Sequence, residues 1–161
     1  LLARRILGTL PEYFEVKRYR VTVERRKNRY DRMVSISEAV VVVKVDGEKK
    51  LSVSESLDES GSDRGPVNAL SKALAKDLGR YQKHIDTVEL VDYKVRILTG
   101  GTEAVTRVLV ESRDVETGER WVTVGVSANI VDASFEALID SINFKLLRDG
   151  AKAEKLAAVI L

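Results

Sequence analysis

Few side chains in this 161-residue chain have the types and spacing that catalysis requires. An enzyme needs a nucleophile with its base, a metal cluster, or carboxylates that converge on one point. His84 is the single histidine, and it lies near Lys83 and Asp86 in a setting that predicts an ordinary surface histidine. We therefore expect no catalytic residue and no metal ligand in this chain.

Two junctions have the chemistry of an anion site. Residues 64–67 and 127–130 each place backbone amides at the predicted start of a helix, where a carboxylate is favoured. Such junctions are also how helices ordinarily begin, so they do not establish a site alone. Gly100 and Gly101 lie between two predicted strands, whereas a phosphate-binding loop opens a helix. They predict a hairpin turn.

The composition is that of a globular protein, with 44% hydrophobic and 32% charged residues. The 27 lysines and arginines are interspersed with 25 acidic residues, so the chain has no strong positive potential that would attract nucleic acid. The absence of cysteine excludes disulfides and thiolate metal sites and fits a reducing compartment. The longest apolar runs, residues 39–43 and 156–161, are far shorter than the roughly 18 residues of a membrane span. We expect a cytoplasmic protein with no membrane partner, and, since it begins with leucine, a piece of a longer chain.

The elements that position these residues occur twice. FEVKRYRV (residues 14–21) aligns without a gap with VELVDYKV (residues 88–95), which places Tyr19 over Tyr93 at an offset of 74 residues, 93 minus 19. Three later pairs of segments also correspond: residues 37–43 with 102–108, residues 51–54 with 122–125, and residues 68–74 with 136–142. This order of repeats predicts an internal duplication.

Each copy predicts three strands followed by one helix. Residues 15–24 alternate apolar and charged side chains, which indicates a half-buried strand. Five consecutive apolar residues within 35–46 predict a central strand covered on both faces. Asp46-Gly47 predicts a hairpin turn into a third strand at residues 50–54. The second copy predicts strands at 88–98, 102–112 and 120–127.

The two predicted helices are amphipathic. In the first, apolar residues recur from Val67 to Tyr81 at helical spacing, and Gly79 lies where the helix can stop. In the second, Asp132 is the predicted N-cap and Gly150 the predicted end. Two sheets and two helices bury all of their apolar faces if the helices lie between the sheets. The predicted fold is α+β, a three-layer sandwich of two βββα units.

The predicted organisation is a linker tail (1–13), one domain (14–150) made of the units 14–83 and 84–150, and a tail (151–161) that is either helical or unstructured. The first helix and the second unit also have the α-β-β-β-α order of a double-stranded RNA-binding domain. That family presents lysines to phosphates at its second helix, where this chain has Asp132 and Glu136. We expect no nucleic-acid partner, and RNA binding or another interaction role stays a remote alternative.

Four ordered motifs carry a family resemblance: GPVNALSKAL (65–74), ELVDYKVRIL (89–98), GTEAVTRVLVES (101–112) and WVTVGVSANIVDASFEALIDS (121–141). They resemble the C-terminal regulatory domain of the citramalate synthase and 2-isopropylmalate synthase family, most closely the citramalate synthases. The resemblance implies a homodimeric allosteric domain that binds isoleucine for feedback inhibition of branched-chain amino-acid biosynthesis. A leucine-binding domain of a 2-isopropylmalate synthase is the alternative.

The resemblance also implies where the effector binds and what the parent enzyme does. The effector pocket lies at the dimer interface and, carried over by motif, includes Gly65, Val67, Leu90, Tyr93, Ile97, Ala104, Thr106, Ala128 and Ile130. The parents are acyltransferases that join acetyl-CoA to a 2-oxo acid in a metal-dependent TIM barrel. Such a barrel takes about 250 residues. The resemblance thus implies a barrel upstream, with its divalent metal and acetyl-CoA, and a non-catalytic fragment here.

Overall fold

The computed structural model describes residues 11–58, 65–98, 104–153 and 155–156, whose strands form two three-stranded antiparallel sheets and a short ribbon. The strands are β1 (Pro11–Glu12), β2 (Glu15–Lys27), β3 (Met33–Val45), β4 (Glu48–Asp58), β5 (Val88–Ile97), β6 (Thr106–Asp114), β7 (Arg120–Ser127) and β8 (Lys155–Leu156). The helices are α1 (Gly65–Leu74), α2 (Gln82–Ile85) and α3 (Ile130–Arg148). The first sheet has the order β2-β3-β4, the second β5-β6-β7, and β1 pairs with β8. The predicted α+β fold of two βββα units is confirmed, while the predicted turn at residues 99–101 lies outside the described residues.

The duplication extends to a β-bulge in the first strand of each sheet. The register between β2 and β3 shifts between Val16 and Arg18, and the register between β5 and β6 shifts between Leu90 and Asp92. The extra residues, Lys17 and Val91, are again 74 apart, 91 minus 17. The bulge therefore turns Tyr19 and Tyr93 toward the inner face of their sheets in the same way.

One of the predicted correspondences is wrong by four residues. Tyr19 pairs with Val41, and Tyr93 pairs with Val110, so β3 and β6 correspond at an offset of 69 (110 minus 41), whereas the predicted offset was 65 (102 minus 37). The β5–β6 hairpin is therefore five residues shorter than the β2–β3 hairpin (74 minus 69), whereas the predicted alignment implied a difference of nine residues (74 minus 65). Ser37 thus corresponds to Thr106. The predicted offset of 71 between residues 51–54 and 122–125 is confirmed, because Ser52 pairs with Val41 and Thr123 pairs with Val110.

The strands bury alternate side chains on their inner faces. Ala39, Val41, Val43 and Val45 of β3 are at most 2% exposed, and Val108 and Val110 of β6 are fully buried. β3 is central, as predicted, but no second layer among the described residues covers its outer face. There Val40 is shielded by its cross-strand neighbours Arg20 and Val53. The turn at Asp46-Gly47 has positive φ at both residues and confirms the predicted hairpin.

Both long helices lie between the sheets. α1 packs on the first sheet, α3 packs on the second, and the helices contact each other. Tyr19 crosses from the first sheet to α3, where its ring stacks on Phe135 with the centroids 4.0 Å apart. Leu90 of the second sheet lines a small cavity beside Leu74 of α1. Tyr19 of the first sheet and Leu90 of the second sheet therefore each lie beside the helix of the other unit.

The first helix ends at Leu74, five residues before the predicted stop at Gly79. The side chain of Gln82 explains the early end, because its Nε2 donates to the carbonyl of Ala75 (2.6 Å) and its Oε1 accepts from the amide of Leu78 (2.8 Å). Leu78 and Tyr81 are buried as the apolar pattern required. They reach the core from a turn and a short 3-10 segment instead of from a continuous helix.

The two ends of the described chain lie side by side. Pro11 and Glu12 pair with residues 156 and 155, so these two tail residues form neither of the predicted states, helix or unstructured chain. Tyr13 is buried and packs edge-on against Tyr81, with centroids 5.4 Å apart. The hydroxyl of Tyr81 donates to the carbonyl of Lys152 (2.9 Å). Tyr81 therefore connects the start of the first sheet with the chain beyond α3.

Candidate functional site

The candidate site lies where β5 and β6 meet the start of α3. Beyond the bulge, Tyr93 and Ile97 project from the inner face of β5, opposite Val110 and Thr106 of β6. Thr106 is also paired with Ser127, the last residue of β7. This end of the second sheet therefore leads directly into the N-terminus of α3.

A chain of hydrogen bonds fixes Tyr93 to α3. The hydroxyl oxygens of Tyr93 and Ser134 are 2.9 Å apart, and Ser134 donates to the carbonyl of Ile130 (2.7 Å). A serine hydroxyl has one hydrogen to donate, so Tyr93 is the donor to Ser134. The tyrosine ring is thus held against the first two turns of the helix.

The N-cap of α3 is Asn129, and the predicted cap at Asp132 is wrong. The side-chain oxygen of Asn129 accepts from the amides of Val131 (2.8 Å) and Asp132 (3.2 Å). Asp132 lies inside the first turn, where its negative charge still complements the helix dipole. Asn129 satisfies two of the amides that a carboxylate ligand would use, so a ligand at this terminus must displace its side chain or bind beside it.

The structure brings together six of the nine predicted site residues. Ile97 and Thr106 are cross-strand partners, and Ala104 lies two residues before Thr106, the first residue of β6. Ala128 and Ile130 follow the paired residue Ser127 into α3. With Tyr93, these residues form one end of the second unit, the β5–α3 end. Ile97 is 66% exposed and Ile130 is 48% exposed, so this apolar surface is open within one chain.

Leu90 does not join that group. It precedes the bulge and lines a cavity of about 40 Å³. The other lining residues come from α1 and the residue after it, α2, the start of β5, β6 and α3: Ser71, Leu74, Ala75, Ile85, Val88, Ser112, Leu138, Ser141 and Ile142. Space on this scale holds about one water molecule. In this structure Leu90 packs between the two helices.

Gly65 and Val67 belong to the first unit. A Cβ added to Gly65 would lie 3.5 Å from the hydroxyl of Ser37, the residue that corresponds to Thr106. Gly65 has φ +50°, a conformation that glycine adopts without strain. Val67 is 6% exposed and belongs to the hydrophobic core. The structure therefore places these two residues at the equivalent end of the first sheet.

Tyr19, the counterpart of Tyr93, makes different contacts. Its hydroxyl donates to the carboxylate of Asp132, and its ring stacks on Phe135 at an interplanar angle of 26°. Burial, followed by the neighbouring Asp132 carboxylate, raises the pKa of Tyr19 to about 12. Tyr19 stays protonated and joins the first sheet to α3.

The structure also contains a buried ionic network at the opposite end of α3, which was not predicted from the sequence. The ammonium of Lys145 lies 2.8 Å from Asp114 and 2.7 Å from Asp149, whose carboxylate is 2.8 Å from Nδ1 of His84. Lys145 is 7% exposed and Asp114 is 3% exposed. His84 is therefore a half-buried partner of Asp149 and not the surface residue that was predicted. The i,i+4 spacing of Lys145 and Asp149 was the only sequence signal for this network.

The network shifts the pKa values of its members. The hydrogen bond from Lys145 lowers the pKa of Asp114 to about 2, against the effect of burial. Burial opposes the charge on Lys145, but its bonds to Asp114 and Asp149 raise its pKa overall. The pKa of Asp149 is lowered despite burial, because Lys145 and His84 stabilise its charge. The network ties β6, α2 and α3 together.

None of the described residues form a group of three or more histidine or acidic side chains that could hold a metal ion.

Comparison with known proteins decides the family. A profile described as the LeuA allosteric (dimerisation) domain matches residues 1–146. This chain belongs to the LeuA allosteric (dimerisation) domain family. Its (R)-citramalate synthase relatives include those of Geobacter sulfurreducens, 45% identical over 91% of this chain and 26% of the relative, and of Aquifex aeolicus, 40% identical over 92% and 26%. The 2-isopropylmalate synthase of Methanocaldococcus jannaschii is 40% identical over 56% of this chain and 15% of its own length.

The chain spans about a quarter of the length of the citramalate synthases it matches. It corresponds to a regulatory domain within full-length synthases and not to a whole enzyme. Among the helices that the structure describes, none combines the length and apolar composition needed to cross a membrane.

Proposed function

We propose that this chain is the regulatory domain of an acetyl-CoA-dependent (R)-citramalate synthase and that it binds isoleucine to inhibit the parent enzyme. The observation that carries the proposal is the coverage of its relatives. Four citramalate synthases match 91 to 93% of the chain at 39 to 45% identity, whereas two 2-isopropylmalate synthases match 56% and 67% of it. A leucine-binding domain of a 2-isopropylmalate synthase is the second candidate.

The β5–α3 end has the chemistry to receive a branched aliphatic side chain. Ile97, Ile130 and the ring of Tyr93 supply apolar surface, and Thr106 supplies a largely buried hydroxyl. Small ligands bind in mostly apolar pockets that contain a few fixed polar groups. The hydrogen bond from Tyr93 to Ser134 makes the start of α3 part of this surface. An effector bound here can therefore act on the position of α3.

A second copy of the chain completes this site in our proposal. Ile97, Ile130, Val95 and Leu98 are between 42 and 66% exposed, which leaves the apolar surface open on one side. Membership of a dimerisation domain family supports a homodimer. A pocket closed by two chains couples effector binding to the arrangement of the subunits, as allosteric control requires.

The parent enzyme would contain an upstream TIM-barrel domain with its divalent metal and acetyl-CoA. The condensation reaction would take place in that barrel, and isoleucine bound to this chain would inhibit it. This division fits an alignment that covers about a quarter of each citramalate synthase.

Calorimetric titration of the domain with isoleucine, leucine and valine tests the proposal. We expect isoleucine to bind most tightly, and at about 100 times its dissociation constant it should add roughly 2.7 kcal/mol to the free energy of unfolding. Leucine as the tightest ligand would favour the second candidate. Folded, dimeric protein that binds none of the three amino acids at millimolar concentration would contradict the proposal.

Two further assays separate the wider alternatives. In the full-length parent, isoleucine should inhibit citramalate formation from acetyl-CoA and the 2-oxo acid, and removal of this domain should abolish the inhibition. A gel shift with duplex RNA should show no complex. A specific RNA complex without isoleucine binding would support the interaction module instead.

A further inference from the structure

The outer face of the second sheet carries two arginines that lie directly opposite each other, Arg96 of β5 and Arg107 of β6. Neither guanidinium has an ion-pair partner within the described part of the chain, and the Nε of Arg107 is shielded from solvent without a hydrogen-bond partner there. Arg113 has a similar Nε, but its terminal nitrogen is paired with Glu89. Like charges that face each other across two strands are destabilising. Nearby carboxylates would therefore stabilise Arg96 and Arg107.

The outer face of the first sheet carries the opposite charge at the corresponding position. Glu38 of β3 lies directly opposite Glu55 of β4. Neither carboxylate has an ion-pair partner among the residues that the structure describes. The offset of 69 between β3 and β6 matches Glu38 with Arg107 (107 minus 38). The two copies have thus diverged to an acidic pair on one sheet and a basic pair on the other.

These two pairs cannot meet within one chain. The long helices α1 and α3 lie between the sheets, so the two outer faces point in opposite directions. A second copy of the chain can place its first sheet against the second sheet of its neighbour. Sheets that stack in this way pack about 10 Å apart with their strands nearly aligned.

The strand order decides which side chains would meet in such a stack. The two sheets have equivalent orders, β2-β3-β4 and β5-β6-β7. When their outer faces meet with β3 and β6 parallel, one sheet is turned over relative to the other, so β5 lies against β4 and β7 lies against β2. Arg107 then faces Glu38, and Arg96 faces Glu55. A single arrangement therefore compensates all four charges.

The neighbouring residues fit the same arrangement. One step along the central strands the contact is apolar, because Leu109 of β6 faces Val40 of β3. Lys94 of β5 and Arg20 of β2 would repel each other, but these two strands lie on opposite sides of the stack. Lys94 faces Val53 of β4 instead. The apolar contact matters, because ion pairs at a protein surface contribute little alone.

We propose that the outer face of the second sheet binds the outer face of the first sheet of another copy, with Arg107 paired to Glu38 and Arg96 paired to Glu55. Such a contact is head-to-tail, so it joins molecules into a row instead of closing a pair. Three strands spaced about 4.8 Å apart present a narrow face. The contact is therefore weaker than the proposed dimer contact at the β5–α3 end, and it depends neither on that contact nor on the effector.

Sedimentation equilibrium from micromolar to millimolar concentration at low ionic strength tests the association. We expect the average mass to rise above its micromolar value and added salt to reduce the rise, because salt screens exposed charges. Arg96→Glu/Arg107→Glu makes both faces acidic at this position, and Glu38→Arg/Glu55→Arg makes both basic. Each variant alone should lose the rise, and an equimolar mixture of the two should regain it.

The matched control, Arg29→Glu/Arg32→Glu, reverses two exposed arginines at the tip of the β2–β3 hairpin and should associate like the wild type. Wild type that keeps its micromolar mass at millimolar concentration would overturn the proposal. So would a rise that persists in either reversed variant, or a mixture of the two that does not associate.

Disulfide trapping tests the orientation of the stack and gives an independent answer if a reversed variant does not fold. The chain has no cysteine, so each single-cysteine variant carries one thiol. Under mild oxidation, Lys94→Cys mixed with Val53→Cys should form mainly the mixed disulfide. Lys94→Cys mixed with Arg20→Cys is the control and should form little of it. Equal yields in the two mixtures, or no mixed disulfide in the first, would contradict the proposed contact.

Discussion

Tyr19 and Tyr93 occupy equivalent positions in the two units but bond to different partners on α3. Tyr93 donates to Ser134, which is 1% exposed, whereas Tyr19 donates to the exposed carboxylate of Asp132. Water can replace the partner of an exposed carboxylate, but it reaches a buried hydroxyl poorly. The same substitution at the two tyrosines should therefore have different consequences.

We expect Tyr93→Phe to lower the free energy of unfolding by about 1 kcal/mol and to weaken isoleucine binding. The variant keeps the aromatic ring but removes the bond that fixes it to the start of α3. Tyr19→Phe is the matched control and should leave isoleucine affinity unchanged. Urea denaturation and calorimetry measure the two effects. Equal losses of affinity in the two folded variants would show that the effector does not bind beside Tyr93.

At Gly125 the backbone of β7 packs directly against the backbone of α3. A Cβ at this position would lie 1.8 Å from the carbonyl oxygen of Ala133 and 3.0 Å from the amide nitrogen of Ala137. Backbone atoms cannot move aside as a flexible side chain can, so even one methyl group must displace the helix.

Gly125→Ala should therefore cost about 3 kcal/mol of stability, at the upper end of the usual cost of overpacking. Gly118→Ala is the control for backbone conformation, because Gly118 has φ +76° and no atom within 4 Å of an added Cβ. Its cost should be about 1 kcal/mol. Urea denaturation of both variants distinguishes the two causes, and a Gly125→Ala cost no larger than that of the control would show that α3 shifts freely on β7.

At the scale of elements, alternation of apolar residues predicted the strands well, because each sheet buries one face. The helix ends were predicted less well. Gln82 ends α1 through two backbone contacts, and Asn129 takes the capping role that was given to Asp132, since either side chain can cap a helix. The residue types alone do not show which of several polar side chains bonds to a free backbone group at a helix end.

The candidate site was predicted in part for a similar reason. Motif matching grouped residues that meet in space where β5, β6 and α3 are adjacent, but it also included Leu90, which a bulge separates from them. The network of Asp114, Lys145, Asp149 and His84 joins residues up to 65 positions apart. Such pairing depends on the packing of α2 and α3 and has almost no local pattern.

This network predicts acid sensitivity. The pKa of Asp114 is about 2 in the folded chain, below its ordinary value of 3.8. A lowered pKa means that its contribution to stability is complete above pH 3.8 and disappears as the pH falls to about 2. The difference in unfolding free energy between the wild type and Asp114→Asn should therefore shrink over that interval. Urea denaturation between pH 5 and pH 2 measures it, and a constant difference would mean that Asp114 is not charged against Lys145.

At the scale of the whole molecule, the described surface is open at the β5–α3 end. We expect light scattering at micromolar concentration to give twice the 17.9 kDa of the chain. Ile97→Lys should shift the protein toward monomer, because it would bury an unpaired charge in the interface. Val124→Lys, on the outer face of β7 and 40% exposed, is the matched control and should leave the dimer intact. Monomeric wild type that still binds isoleucine would contradict the shared site.

The matched bulges at Lys17 and Val91 record the history of the chain. An inserted residue changes which side chains a strand buries, so two independent insertions at the same place in both copies would be a coincidence. The bulge is therefore older than the duplication, and it was already present in an ancestor of a single βββα unit. That ancestor, with half the present length, had an apolar sheet face that its one helix could cover only in part. Pairing with an identical partner would have covered the rest of that face, as the second unit now covers it within one chain.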